Sequence, residues 1–222
     1  MSIVTLETVK KDPEVQTYLR RGNDHLGCIG YTEHGLRHAD LAASIARNVL
    51  SHLQHPEREA ELAAIAGYLH DIGNVVSRYG HGQTGAVIAM GILSRLGMPH
   101  GEIASVASAI GNHDPEELGA SVNNVAAALI LADKSDVHRS RVRNCDRSSF
   151  DIHDRVNYAV ERSFLRVDGK KKTITLEITV DTSISPVMDY FEIFLARMLM
   201  CRRAASYLEC NFELSINDVR LL

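Results

Sequence analysis

From Thr32 to about Asp136, apolar residues recur at spacings of three and four, the period of helices that bury one face. The pattern breaks at His55-Pro56, Gly73, Gly97–Pro99, Asp114-Pro115 and Gly119, where helix-terminating residues cluster. Upstream, Pro13 to about Arg21 predicts one more helix, followed by a polar connection to residue 30. Downstream, a basic polar segment runs from Lys134 to Arg147, and a short helix is expected near Ile152–Glu161. The period then changes to two. Ile174, Leu176, Ile178 and Val180 alternate with Thr173, Thr175, Glu177 and Thr179, the signature of a half-buried strand. Asp168-Gly169 reads as a hairpin turn, which makes Phe164–Val167 the partner strand. A long helix from about Pro186 to Leu208 and a last strand at Phe212, Leu214 and Ile216 complete the chain. No internal repeat is visible. The expected fold class is mostly α: a helical bundle over residues 1–147, with a small C-terminal α+β extension over residues 148–222 packed on it.

Several apolar stripes end in a polar residue. Val122, Val125, Ala126, Leu129 and Ile130 form one stripe, and Asp133 takes its next position. Leu62, Ala66 and Leu69 lead to His70, with Asp71 directly after it. Leu41, Ile45 and Val49 share a side with His38, and His34 lies one turn earlier. Ile103, Val106 and Ile110 lead to His113, and counting back from Ile92 and Ile88 reaches His81. A single histidine on such a stripe is commonly a hydrogen-bonded core residue. A buried carboxylate is costly unless it is paired or binds a metal. Five helices that each end in a residue of ligand type point to one shared metal site.

Composition sharpens this picture. Hydrophobic residues make up 45% and charged residues 23% of 222, which excludes a disordered chain or a disulfide miniprotein. The formal charge, 24 − 28 = −4, offers no global field for a nucleic-acid duplex or an anionic membrane, so anion binding has to be local. Histidine is abundant, with 11 residues. The four cysteines (Cys28, Cys145, Cys201, Cys210) form no CxxC pair, and the start MSIVTLETVKKDPEV lacks a signal-peptide pattern. The expected compartment is therefore the cytoplasm. The apolar run Val187–Met200 is interrupted by Asp189, Glu192 and Arg197 and is too short to span a bilayer. Tyr190, Phe191, Phe194, Leu195, Met198 and Leu199 nearly encircle that helix, so it is expected either to lie between layers or to form a homodimer surface.

Arg37-His38, then Tyr68-Leu69-His70-Asp71-Ile72-Gly73, then Leu131-Ala132-Asp133-Lys134 together resemble the HD-domain superfamily of metal-dependent phosphohydrolases over about residues 30–140. Its H…HD…D pattern is read as His38…His70-Asp71…Asp133. The resemblance implies an HD-domain helical bundle in which these four residues hold one divalent metal. His81, in HisGlyGlnThrGlyAla, and His113, in GlyAsnHisAsp, match the extra histidines of binuclear members, among which bacterial diadenosine polyphosphate hydrolases show a similar order. In such a site Asp71 would bridge two ions. No Gly-Tyr-Pro follows His113, which disfavours the cyclic-dinucleotide phosphodiesterases that carry that signature.

The implied cofactor is one or two divalent transition-metal ions. Imidazole and carboxylate together suit Fe, Mn, Co, Ni or Zn better than magnesium alone. Such an ion lowers the pKa of bound water, so that hydroxide is present near neutral pH and can attack phosphorus. Asp71 is the catalytic candidate, orienting that hydroxide. Lys134 and Arg143, from a segment that also holds Arg139 and Arg141, are candidate substrate-binding residues, as is His34; a solvated loop with arginines paired to nearby acids is the alternative. Arg78 and Asn74 are weaker candidates of the same kind. The expected substrate is a small phosphorylated molecule: a phosphomonoester, a nucleotide or a dinucleotide polyphosphate. The competing functions are an HD-type di-iron oxygenase and a non-catalytic ligand-sensing module.

Overall fold

The computed structural model describes residues 3–114 and 119–221. The break expected at Asp114-Pro115 therefore runs out of the described residues. The body is helical: α1 (Leu6–Lys11), α2 (Pro13–Cys28), α3 (Leu36–His52), α4 (Glu57–Leu69), α5 (His81–Arg95), α6 (His100–Gly111) and α7 (Asn124–Ser135). After it come α8 (Ile152–Ala159), β1 (Val160–Asp168), β2 (Thr173–Val180), α9 (Val187–Tyr207), β3 (Asn211–Ile216) and β4 (Val219–Arg220). The sheet order is β1-β2-β3-β4. β1 and β2 form an antiparallel hairpin, α9 crosses over so that β3 runs parallel to β2, and β4 turns back on β3.

α7 is the centre of the molecule. Every residue from Val125 to Ser135 is buried, and α3, α4, α6, α9 and β1 all pack against it. Four alanines (Ala126, Ala127, Ala128, Ala132) keep the helix thin enough for neighbours to approach on all sides. The sheet adds a second apolar layer through Ile174, Leu176 and Leu214, each fully buried. α9 lies between that layer and the body, with Tyr190, Phe194 and Met198 inward; Met188, Leu195 and Leu199 stay at the surface.

Some boundaries differ from the sequence reading, each for a local reason. The N-terminal helix is two helices. Thr5 Oγ1 accepts from Thr8 N to start α1, and Asp12 Oδ1 accepts from Glu14 N and Val15 N to start α2. α2 then runs on to Cys28 through residues that read as a polar connection. Val122 is not on the α7 stripe: it precedes the helix and is 48% exposed, while Asn123 caps α7 by accepting from Ala126 N. On α3 the core face is Ala42, Ala43, Ala46 and Val49, with Leu41 and Ile45 only half buried beside a cavity. α8 stops at Ala159, so the hairpin's first strand is nine residues long rather than four. No helix among the described residues is long and apolar enough to cross a membrane.

Candidate metal centre

The predicted ligands sit at helix ends that converge. Glu33 Oε1 accepts from Gly35 N and so fixes the residue at which α3 begins, with His38 in its first turn. His70 caps the C-terminus of α4, and Asp71 opens the 3-10 turn Ile72–Val75. Gly80, in the left-handed region at φ 69°, turns the chain so that α5 starts at His81. His113 lies just past α6, and Asp133 lies in the last turns of α7. His38, His70, Asp71, His81 and His113 are all at most 4% exposed, and Asp133 is 9%.

The four imidazoles are held alike. Nδ1 of His70 donates to Gly67 O at 2.7 Å, that of His81 to Arg78 O at 3.0 Å, and that of His113 to Ile110 O at 2.6 Å. His38 Nδ1 meets Asp136 Oδ2 at 2.7 Å. A carbonyl oxygen only accepts, so the Nδ1 proton is assigned and Nε2 of each neutral ring presents a lone pair. These Nε2 atoms face one another in pairs, His38 to His70 at 3.1 Å and His81 to His113 at 3.2 Å. Two lone pairs at that distance repel unless a cation lies among them.

Asp71 straddles the two pairs. Its Oδ2 is 3.6 Å from His38 Nε2 and 3.3 Å from His70 Nε2; its Oδ1 is 3.5 Å from His81 Nε2 and accepts from Asn74 Nδ2. Oδ2 is buried with no hydrogen-bond donor among the described residues. Asp133 Oδ1 stands 3.4 Å from His38 Nε2, while its Oδ2 takes the Lys134 ammonium at 2.5 Å. Asp114 Oδ2 stands 3.4 Å from His81 Nε2. Among the described residues, three groups can therefore hold a metal: His38, His70 and Asp133; His70, Asp71 and His113; and His81, His113 and Asp114. The donor set is imidazole nitrogen and carboxylate oxygen throughout, which suits a divalent transition metal.

The electrostatics agree with ligation. Burial pushes the Asp71 carboxyl up, but the imidazoles around it, His70 foremost, outweigh burial and hold it well below the usual carboxylate range. Burial acts likewise on Asp133, where Lys134 and His38 outweigh it. Burial pulls the imidazole of His81 down and that of His113 down to about 3, which keeps both neutral, the form that ligates. On His38 burial opposes the charge, yet Asp133 and Asp136 raise its affinity for a proton.

The structure brings all six predicted ligands together and also places His34 and Lys134 at the cluster. His34 Nδ1 donates to Thr32 O at 2.8 Å, and burial holds its ring well below the ordinary imidazole range. Arg143 is not brought to the cluster: its guanidinium is exposed and donates to Asn23 O at 3.0 Å. The arginine of that segment that does reach the site is Arg141, whose Nη1 donates to Asp136 O at 2.7 Å and whose Nε donates to Glu33 O. A small cavity of about 20 Å³ touches Asp71, His81, His113, Asp133 and Lys134, and is closed by His34, Arg78, Arg141 and Arg197.

The sequence pattern assigned no role to Asp136, Asp114 or Arg197, and marked Arg141 only as one arginine of a phosphate-binding segment. Two of these had a readable signal. His113-Asp114 repeats the His70-Asp71 dipeptide, and Asp136 follows Asp133 by three, on the same helical side. Carboxylates that orient a metal-bound histidine are a regular partner of such sites.

The model of the HD domain family matches residues 31–141. An uncharacterized protein of Methanocaldococcus jannaschii, MJ1020, is 27% identical over 192 residues, which cover 76% of this chain and 73% of that protein. The match spans half of the chain and takes in every one of the converging histidines and aspartates, so the chain belongs to the HD domain family.

Proposed function

We propose that the protein is a metal-dependent phosphohydrolase that splits a phosphomonoester or phosphoric anhydride. His38, His70, Asp71 and Asp133 would hold one divalent transition-metal ion; Asp71, His81 and His113, with Asp114, would hold a second. The observation that carries this reading is the two facing Nε2 pairs astride Asp71, 3.1 and 3.2 Å apart, beside a cavity that Asp71, His81 and His113 line together with four cationic side chains. A divalent ion held there supplies Lewis acidity, toward water and toward a phosphoryl oxygen alike.

The remaining work falls to the chain's own groups. Asp71, reaching both pairs with its two oxygens, is the residue to which we assign the catalytic role: it orients the attacking water. Arg78, Arg141 and Arg197 face the cavity with positive charge and neutralise a bound phosphate. Lys134 holds Asp133 in place and adds a fourth charge at the same wall. His34, neutral and with Nδ1 engaged by Thr32 O, presents Nε2 as a proton acceptor. These cations favour phosphoryl transfer over oxidative cleavage by two irons, which uses the same ligand order. We place the enzyme in the cytoplasm, on the four free thiols.

The test is a panel of phosphoesters and anhydrides with protein loaded separately with Mn, Fe, Co, Ni and Zn. Metal-dependent release of phosphate or nucleotide is expected, and Asp71→Ala should abolish it while the circular dichroism spectrum is kept. A loaded wild-type protein that turns over nothing on the panel, or a fully active Asp71→Ala variant, would end this reading.

A further inference from the structure

The small cavity adjoins a larger one of about 330 Å³, and the two share His34, Arg78, Arg141 and Arg197 as lining. The outer cavity is walled by Tyr31 and Thr32 after α2, by Asp151, Asp154 and Asn157 of the α8 start, and by Phe194 of α9. Its volume lies near the lower end of the roughly 300–1,000 Å³ typical of ligand pockets. That is room for one small organic group and not for two nucleosides joined by a polyphosphate.

The two ends of this space differ in chemistry. At the inner end, Arg78 and Arg141 already have carboxylate neighbours: Arg78 is 3.7 Å from Asp114, and Arg141 is 3.8 Å from Asp136. Arg197 has no hydrogen bond and no carboxylate within ion-pair distance among the described residues; Asp133, across the small cavity, acts on it from further off. Its guanidinium lies over the Phe194 ring, 4.6 Å from the centroid, much as Arg78 lies over Tyr31 at 5.4 Å. Each ring thus helps to position a guanidinium at the cavity. Burial makes the charge on Arg197 harder to keep; Asp133 opposes this, and Arg141 and Arg78 add to it. A buried cation that makes no ion pair of its own, with two further guanidiniums near it, favours an anion. At the outer end, beside His153, three groups of α8 and its cap offer acceptor oxygens. Asp151 Oδ1 is used by Asp154 N, Asp154 Oδ2 by Asn144 Nδ2, and Asn157 Nδ2 donates to His153 O. This leaves Asp151 Oδ2, Asp154 Oδ1 and Asn157 Oδ1 with no donor among the described residues. They ask for donors from a ligand. An ammonium would feel the three guanidiniums across a cavity this small, whereas a hydroxyl would not.

From this gradient we infer that the enzyme takes a small phosphomonoester with a hydroxyl-rich leaving group, such as a glycerol, sugar or single ribonucleoside. Arg197 receives the phosphate, and the carboxylates at the start of α8 receive the hydroxyls. This rests on the phosphohydrolase reading and narrows it, excluding dinucleoside polyphosphates. The C-terminal part of the chain thereby supplies both ends of substrate recognition, since α8 and α9 lie outside residues 31–141.

Binding of non-hydrolysable phosphonates tests this without relying on turnover. Calorimetry on the metal-loaded full-length protein would compare dihydroxybutylphosphonate with butylphosphonate, aminopropylphosphonate and a methylene-bridged dinucleoside tetraphosphate. The diol should bind about tenfold or more tighter than each of the others, the scale of hydrogen bonds to charged groups. Asp154→Ala should shrink the preference for the diol over butylphosphonate to within about threefold and leave inorganic phosphate binding unchanged. Arg197→Ala should weaken inorganic phosphate about tenfold to a hundredfold, and Arg197→Lys should recover part of the loss. Equal affinities for diol and alkyl phosphonates, tighter binding of the dinucleoside analogue, or phosphate binding that ignores Arg197 would each overturn the inference. These results stand apart from the hydrolysis panel. A protein that binds as expected but hydrolyses nothing refutes the phosphohydrolase reading alone; one that hydrolyses esters without these preferences refutes this inference alone.

Discussion

Asp136 touches no candidate metal position, yet it should govern one. Its Oδ2 accepts from His38 Nδ1 at 2.7 Å and from Arg37 Nη2 at 2.8 Å, and its side chain is 2% exposed. The substitution Asp136→Asn keeps the shape and one acceptor oxygen but removes the charge. A charge-assisted hydrogen bond to His38 becomes a neutral one, worth about half as much. The imidazole loses basicity at Nε2, and its tautomer is less firmly set. Loss of such a partner lowers metal affinity about 10–100-fold, which corresponds to about 1.4–2.7 kcal/mol. The effect should be confined to the His38, His70 and Asp133 group, because the Nδ1 atoms of His81 and His113 are held by backbone carbonyls of Arg78 and Ile110. Competition titration of zinc against a chromophoric chelator reads this directly. The wild type should show two binding steps, and the variant should show one of them weakened and the other unchanged. Two unchanged steps, or two steps weakened alike, would refute the assignment of Asp136 to His38.

Other substitutions probe the frame around the site. A Cβ on Gly73 would lie 2.0 Å from His81 O and 2.6 Å from Gly85 N, backbone atoms that no rotamer change can move. Gly73→Ala should therefore lower stability by about 1–3 kcal/mol or more, read as the urea midpoint of the metal-free protein; an unchanged midpoint would show that α5 does not approach the turn this closely. Glu102 on α6 accepts from Arg58 Nε at 2.8 Å, and that bond holds its carboxyl below the ordinary 4.5. The stabilisation is present above that pH and fades as pH falls through the lowered value. Glu102→Gln should then cost up to about 1 kcal/mol at pH 7 and progressively less as pH falls below the ordinary 4.5, with denaturation curves across that range as the check. Cys28 and Cys145 are exposed, whereas Cys201 and Cys210 are buried and burial pushes the Cys201 thiol up to about 12. A thiol reagent at pH 8 should label two cysteines in the native protein and four after denaturation; four in the native state would contradict the packing of α9 on the sheet.

The helical body and the strand–helix–strand tail were legible because burial imposes a period, and Ile174 to Val180 or Ala39 to Leu50 cannot hide theirs. The converging histidines were legible for a related reason: a polar residue on an apolar stripe contradicts its surroundings. Arg143 was misplaced because a run of arginines at spacing two gives no register. Which of Arg139, Arg141 and Arg143 turns inward depends on the 3-10 turn at Arg139–Arg141, where His138 accepts from Ser140 N. Arg197 read as a mere interruption of an apolar run, since its meaning comes from α7, which α9 meets only in three dimensions. Val122 misled because Asn123, one residue later, starts the helix by capping it. In each case the missing information was tertiary, and the local pattern carried either no contradiction or the wrong one.

The burial of α7 on every side has a consequence for motion. Amide protons along a helix with no solvent face exchange only when the whole domain opens. Asp133 belongs to that helix, so its end of the site should be as slow to open as the protein itself. The opposite wall is made of Tyr31, 38% exposed, and of the stretch around Arg78, flanked by Val76 at 64% and Tyr79 at 80%. Those segments lie at the low-stability end of the same molecule. One pocket thus joins a still floor to a pliant rim. Differences among ligands should register in the exchange rates of residues 29–32 and 76–80, while Val125 to Ser135 keep time with global unfolding.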